Sequence, residues 1–274
     1  MPDNQKAAGY PLADGILYPA DPEELKKTII KSLEKNSEDS ANAVLFPHAS
    51  YNFCSKHIGS AFSRLAGNNP DCIILLAPVH REKKPEIYLP SFEYFYTPLG
   101  KIKIDREKIN RLSFQSGSIR INDMPFQEEI GIETALPYVC YLFPGVPVLP
   151  VYTGDLSFKT VQTLNRVLSL LISDSSSKEK NLIGISSNLT EFDLSKKTEK
   201  EMELFISLCN KGDYQSIMES EKDHKISACG AASVSALFFS GKFSTGELVS
   251  LSSQTELTGN KEKKIHYGSF TFRR

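Results

Sequence analysis

Tryptophan is absent from this chain, and histidine and cysteine are scarce, with five of each in 274 residues. Chemistry that uses imidazole or thiolate must therefore draw on very few positions. Cys54, Cys72, Cys140, Cys209 and Cys229 are odd in number and widely spaced, with no CxxC pair and no zinc-ribbon spacing, which excludes a disulfide framework. Free thiols oxidise or mispair outside the cell, so the cytoplasm is the expected compartment. The start MPDNQKAAGYPLADG has neither a basic segment nor an apolar core, and no run approaches ~18 uninterrupted apolar residues, so no leader or membrane span is expected. An excess of one charge is also missing. Lys plus Arg is 32 against 33 for Asp plus Glu, so no whole-molecule field recruits nucleic acid or anionic lipid. With 16 Gly, 15 Pro and 40% apolar residues, collagen-like and mostly disordered classes are excluded. GxGxxG after a strand, GxxxxGK[ST], HExxH, GxSxG and an EF-hand loop are all absent, and no organic cofactor is expected.

What remains is a chain that alternates between two periodicities. Asp21 followed by Pro22-Glu23-Glu24 marks a helix start, with Ile29, Ile30 and Leu33 at helical spacing. Ala43-Val44-Leu45-Phe46 is a buried-strand run stopped by Pro47, and Phe53 to Leu65 has helical spacing. Ile73 to Ala77, Val146 to Val151 and Leu182 to Ile185 are further strands, the second of them weakened by Pro147 and Pro150. Asp105 is placed to cap a helix, Phe158 to Ile172 is amphipathic, and a helix from Glu128 to Phe143 should be bent or broken at Pro137. Helical segments at Glu199 to Cys209, Tyr214 to Met218 and Ala231 to Phe239 precede a hairpin between Phe243 and Phe272. No linker forces a second domain. The expectation is one α/β domain over 1–274, with a central mixed, mostly parallel sheet flanked by helices.

In open α/β sheets, ligands bind beyond the carboxyl ends of strands, where the loops diverge. His48 and His80 each follow a Pro at the end of a buried strand; if those two strands are adjacent, both imidazoles overlie one crevice and suit Fe, Zn or Cu. The alternative is that each merely hydrogen-bonds backbone at a turn. Cys229 precedes Gly230 and a helix, where a thiol is acidified, although a buried free Cys is more often inert. Tyr51 is a candidate proton donor. Asn188, Glu191 and Asp193 follow the strand ending near Ile185 and can line the same crevice. Glu129 and Glu133, four apart, would share a helical face, with water the expected surrounding of Glu129. His57 should pack along its helix, and His224 lies in a charged loop.

PHASY at Pro47 to Tyr51, PVH at Pro78 to His80, YFYTPLGKIKID, ETALP at Glu133 to Pro137, ISSNLTEFD, SACG at Ser227 to Gly230 and the opening GILYPADPEEL occur in order along nearly the whole chain. Together they resemble the Memo family. The resemblance implies a fold like that of the class III, non-haem iron extradiol dioxygenases (LigB-like), with a pocket built on two His and one Cys. His48, His80 and Cys229 match those positions. It further implies iron or copper, with zinc as a third option, redox chemistry on an unspecified small-molecule or peptide ligand, and a functional link to a radical-SAM protein; animal members are described as motility mediators that bind receptor-derived peptides.

Among this chain's departures from the family pattern, three remove a proton-carrying group. Where the pattern reads SSDFSH it has SSNLTE, so Asn188 replaces Asp and Glu191 replaces His; where the pattern reads EHSLE, Ile130 replaces His. Asn is no base, and Ile130 neither ligates nor carries a proton. The expected arrangement is therefore a metal on His48, His80 and Cys229, with Glu191, Tyr51 and Cys229 as the reactive groups. Two other readings stand beside it. One is a ligand- or peptide-binding adaptor using Tyr88, Phe92, Tyr94, Phe95 and Tyr96 as a stacking surface; the other is a paralogue that keeps the fold and has lost the chemistry.

Overall fold

The runs AVLF, CIILLAP, VLPVYT and NLIGIS are buried along their whole length. Near-continuous burial of apolar strands is the signature of a sheet covered on both faces. The computed structural model of the protein describes residues 8–34, 40–81, 83–172, 179–191, 197–254 and 265–274. Asp193 and the turn of the C-terminal hairpin lie outside those residues. In chain order the strands are β1 (Ala8–Gly9), β2 (Ala43–Phe46), β3 (Cys72–Pro78), β4 (Ile87–Leu89), β5 (Tyr94–Thr97), β6 (Gly100–Lys103), β7 (Ile119–Ile121), β8 (Val148–Thr153), β9 (Asn181–Ser186), β10 (Thr245–Ser253) and β11 (His266–Arg273).

The main sheet runs β10-β11-β2-β9-β3-β8-β4-β7, and β1-β5-β6 form a smaller one. β2, β9, β3 and β8 are mutually parallel, whereas β11 joins β2 and β4 joins β8 antiparallel. This is the mixed, mostly parallel α/β sheet that the sequence pattern implies. Pro150 lies opposite Leu75 of β3, and β4 pairs with β8 only at Tyr152 and Thr153, so the β4 side of β8 makes no ladder demand at Pro150.

The helices are α1 (Pro22–Ser32), α2 (Tyr51–Leu65), α3 (Arg106–Ser113), α4 (Met124–Glu128), α5 (Leu136–Leu142), α6 (Phe158–Leu171), α7 (Lys197–Lys211), α8 (Tyr214–Lys222) and α9 (Ala231–Phe239). Asp21 and Asp105 cap α1 and α3 through the N–H groups of Glu24 and Lys108, as their positions before the helical runs suggest. α2 packs on β2 and β11, and the buried His57 ties it to the hairpin, with Nδ1 2.7 Å from Ser250 Oγ and Nε2 2.6 Å from Ser252 Oγ.

The strands that deliver His48 and His80 are consecutive in sequence but not adjacent, because β9 lies between them. The segment from Glu128 to Phe143 is broken, as expected, although upstream of Pro137 rather than at it. The chain makes α4, an extended Glu129, a 3₁₀ turn over Glu133–Ala135 and then α5. Pro137 sits in the first turn of α5, where a missing N–H costs no hydrogen bond, so it opens a helix rather than bending one.

Candidate metal centre

The parallel register places the carboxyl ends of four neighbouring strands side by side: Phe46 lies opposite Ser186 and Pro78 opposite Thr153. His48 leaves the end of β2 and His80 the end of β3. Neighbouring strands are spaced by ~4.8 Å, so an intervening strand puts the two backbones ~10 Å apart. The side chains close that gap: the ring centroids are 5.2 Å apart, edge to face. Cys229 enters from the other side, just before Gly230 at the start of α9. One ligand-capable atom from each of His48, His80 and Cys229 falls within 4.8 Å of the others.

Hydrogen bonds fix which atoms face inward. Ser186 Oγ donates to the Gly131 carbonyl at 2.7 Å and lies 2.7 Å from His48 Nδ1. A hydroxyl has one proton, so His48 Nδ1 is the donor to Ser186, and Nε2 is left facing Cys229 Sγ at 3.8 Å. His80 is held similarly by a carboxylate: Glu129 Oε2 is 2.7 Å from Nδ1, and Oε1 accepts the His80 backbone N–H at 2.6 Å. Orientation of ligand imidazoles through their second nitrogen is the usual support of a metal site.

The donor set fits a transition metal. At ordinary metal–sulfur and metal–nitrogen bond lengths, tetrahedral ligation separates S and N by about 3.6 Å, close to the observed Cys229–His48 distance. The thiol is also prepared to be a thiolate. Burial, the largest single influence, raises it, but His48 and His80 more than offset this and bring it down to about 5. Asn188 N–H donates to Sγ at 3.3 Å. Reciprocally, His80 is raised to about 10 by its hydrogen bonds to Cys229 and Glu129, against the opposing effect of burial. The two opposite shifts favour a thiolate facing an imidazolium.

Glu129 corrects a further expectation. It is neither solvated nor on a helical face shared with Glu133, because the chain is extended at Glu129. It is 7% exposed. Burial raises its carboxyl, but hydrogen bonds from the His80 side chain and backbone outweigh that, and it titrates below the usual carboxylate range. Tyr152 steadies the segment by donating to the Glu129 carbonyl at 2.8 Å and accepting the Ile132 N–H at 3.3 Å. Glu133 lies elsewhere, accepting from the N–H groups of Leu12 and Ala13 and from Tyr18 Oη.

The remaining candidates separate. Glu191 lines a cavity with His80 and Cys229, and its backbone N–H donates to Ser227 Oγ. Asn188 accepts the His48 backbone N–H through Oδ1 at 3.2 Å, a task that an amide performs as well as a carboxylate. Ile130 is half-buried against the core. Tyr51 is buried between Tyr18 and Tyr138, and its hydroxyl donates to the Thr134 carbonyl at 2.7 Å. Burial drives that phenol well above its ordinary range. Tyr88, Phe92 and Phe95 are core residues, which leaves Tyr96, stacked on Tyr10, as the most exposed of the five aromatics. Sequence reasoning missed Ser186, Gly131 and Tyr152; the Ser-Ser-Asn step closing β9 was the available signal for the first.

A family model for Memo-like proteins matches residues 10–271. The chain belongs to the Memo-like protein family. Among the relatives of this Memo-like protein, a MEMO1 family protein of Aeropyrum pernix is 24% identical over 94% of this chain and 96% of its own length. A MEMO1 family protein of Methanobrevibacter smithii is 24% identical, covering 96% of this chain and 99% of the relative. One from Aquifex aeolicus reaches 31%, over 61% of this chain and 46% of its own length. End-to-end alignment at such low identity means that the framework is shared more than individual side chains. Among the described residues, no helix is long and apolar enough to cross a membrane.

Proposed function

We propose that this Memo-like protein binds a redox-active transition metal, iron or copper, through His48 Nε2, His80 Nε2 and Cys229 Sγ, and acts as an oxidoreductase on a small molecule bound beside it. The observation that carries the reading is the double tethering of the imidazoles. Ser186 and Glu129 occupy both Nδ1 atoms, so both Nε2 atoms converge with the thiol in one place. Turn histidines with no ligand would not need their second nitrogens directed together. Two imidazoles with a soft sulfur favour copper, iron or zinc over magnesium or calcium. A bound iron or copper would supply electron exchange with the substrate.

The chain's own groups do the rest. Glu129 holds the His80 ring and balances its charge, and Asn188 anchors the His48 backbone and donates to the sulfur. Glu191 is one of three carboxylates lining the cavity, beside Asp155 and Glu221, and we assign it the proton-moving role. Tyr51, with its proton committed to Thr134, holds α2 against the Thr134 segment. The test is elemental analysis and electron paramagnetic resonance of protein purified without chelators, beside the H48A/H80A double variant and C229S. Iron or copper near one per chain, lost in the variants, supports the proposal. Zinc alone removes its redox part, and metal content equal to that of the double variant removes all of it.

A further inference from the structure

The cavity lined by His80 and Cys229 has a volume of about 100 Å³. Its floor includes His80, Cys229 and Thr153, and four charged residues, Lys83, Asp155, Glu191 and Glu221, stand in its walls. Asp155 is occupied with its own chain, accepting from Ser157 N and Oγ and from Thr160 Oγ1. Glu191 and Glu221 differ from it: neither carboxylate is engaged by another side chain among the described residues. Two unengaged carboxylates thus face a cavity that holds a single lysine. Burial raises the Glu221 carboxyl, Lys83 and His224 oppose this, and Asp155 and Glu191 add to it, as expected where negative charge lacks a full counterpart.

Beside the acids, two of the three convergent metal-ligand candidates, His80 and Cys229, line the same cavity. His48, only 7% exposed and not itself part of the lining, directs its Nε2 at Cys229 Sγ. A molecule entering this space meets a soft, metal-binding floor and an anionic wall. Magnitude favours a small occupant, because cavities that enclose drug-sized ligands are several times larger. Leu156 and Glu221 also line an adjoining outer groove with Phe158 and Met218, which offers room for substituents.

We infer that the substrate class of this site is a small amine: a metal-donor group faces the His48/His80/Cys229 centre, and a protonated amino group is held between Glu191 and Glu221. The inference rests on the metal reading above and specifies what that centre serves.

The experiment uses the full chain loaded with Co(II), whose visible spectrum reports both metal uptake and thiol coordination. Three probes share one thiol donor: 2-aminoethanethiol, 2-mercaptoethanol and 2-mercaptoethanesulfonate. The wild type should prefer the ammonium probe over the neutral one by about tenfold, the range of one charge-assisted hydrogen bond, and bind the sulfonate worst. E191Q and E221Q should each reduce the preference, and the double variant should abolish it while Co(II) uptake stays unchanged. Normal uptake with equal binding of the three probes, or a preference for the sulfonate through Lys83, overturns the amine inference and leaves the metal reading standing. A protein that takes up no Co(II) overturns both.

Discussion

Glu129→Gln isolates the support that Glu129 gives to His80. The substitution keeps the volume and an acceptor oxygen but removes the charge that faces His80 Nδ1 at 2.7 Å. The carboxylate also accepts the His80 N–H at 2.6 Å and is 7% exposed, so water cannot take over either role. Losing one charge-assisted bond in such a place costs ~1.5–3 kcal/mol. At ~1.4 kcal/mol per tenfold, this predicts metal affinity reduced ~10- to 100-fold, the range seen when carboxylates behind ligand imidazoles are replaced. Ser186→Ala, which removes a neutral partner from His48, should cost less, ~0.5–1.5 kcal/mol or roughly 2- to 10-fold. Competition for Zn(II) against a chromophoric chelator measures both, with thermal unfolding of the metal-free variants as the check on folding. An E129Q affinity within twofold of wild type would refute the reasoning, as would a larger loss in S186A than in E129Q.

Cys229 should be the first thiol alkylated by iodoacetamide at pH 6.5, because the imidazoles hold it near a thiolate while burial pushes the Cys54, Cys72 and Cys209 thiols up; bound Zn(II) should protect it, and peptide mapping that finds Cys140 reacting first would contradict this. His57 gives a stability effect with a definite sign. Burial, aided by Lys56, lowers it from 6.5 to about 4, so the unfolded chain binds a proton that the native state refuses. The resulting stabilisation, about 3 kcal/mol at most, is complete above pH 6.5 and lost as pH falls towards 4. Urea unfolding at pH 7.5 and 4.5 should show a smaller pH loss in H57Q than in wild type, and identical losses would sink the assignment. Gly131→Ala would place a Cβ 2.9 Å from Ala77 Cβ and 3.4 Å from Ser186 Oγ, so it should destabilise by roughly 1–3 kcal/mol and weaken metal binding through Ser186; a neutral effect on unfolding and affinity would show that the segment can shift freely.

The core strands and most helices were legible because their signals are local. A four-residue apolar run ending at Pro47, and caps such as Asp21 and Asp105, need no knowledge of distant partners. His48, His80 and Cys229 were candidates because each stands at an element boundary, but position left each one open, and it was the resemblance to the Memo family that joined the three. Strand order was not legible, since the insertion of β9 between β2 and β3 is decided by the packing of the whole sheet, and it is β9 and the residues just after it that supply Ser186 and Asn188 to the centre. Glu129 was misjudged because helical spacing to Glu133 suggests a common face, whereas the chain leaves the helix at Glu129 itself. A buried carboxylate is recognised by its partner, here an imidazole 49 positions earlier, and no window of sequence contains both.

The central claim is that His48, His80 and Cys229 form one metal centre. Its most direct test is X-ray absorption spectroscopy at the edge of the metal found in the purified protein, compared with C229S. The expected first shell contains one sulfur at ~2.3 Å and imidazole nitrogens at ~2.0–2.1 Å, with the sulfur contribution gone in C229S. A shell of oxygens and nitrogens alone, unchanged by C229S, would contradict it.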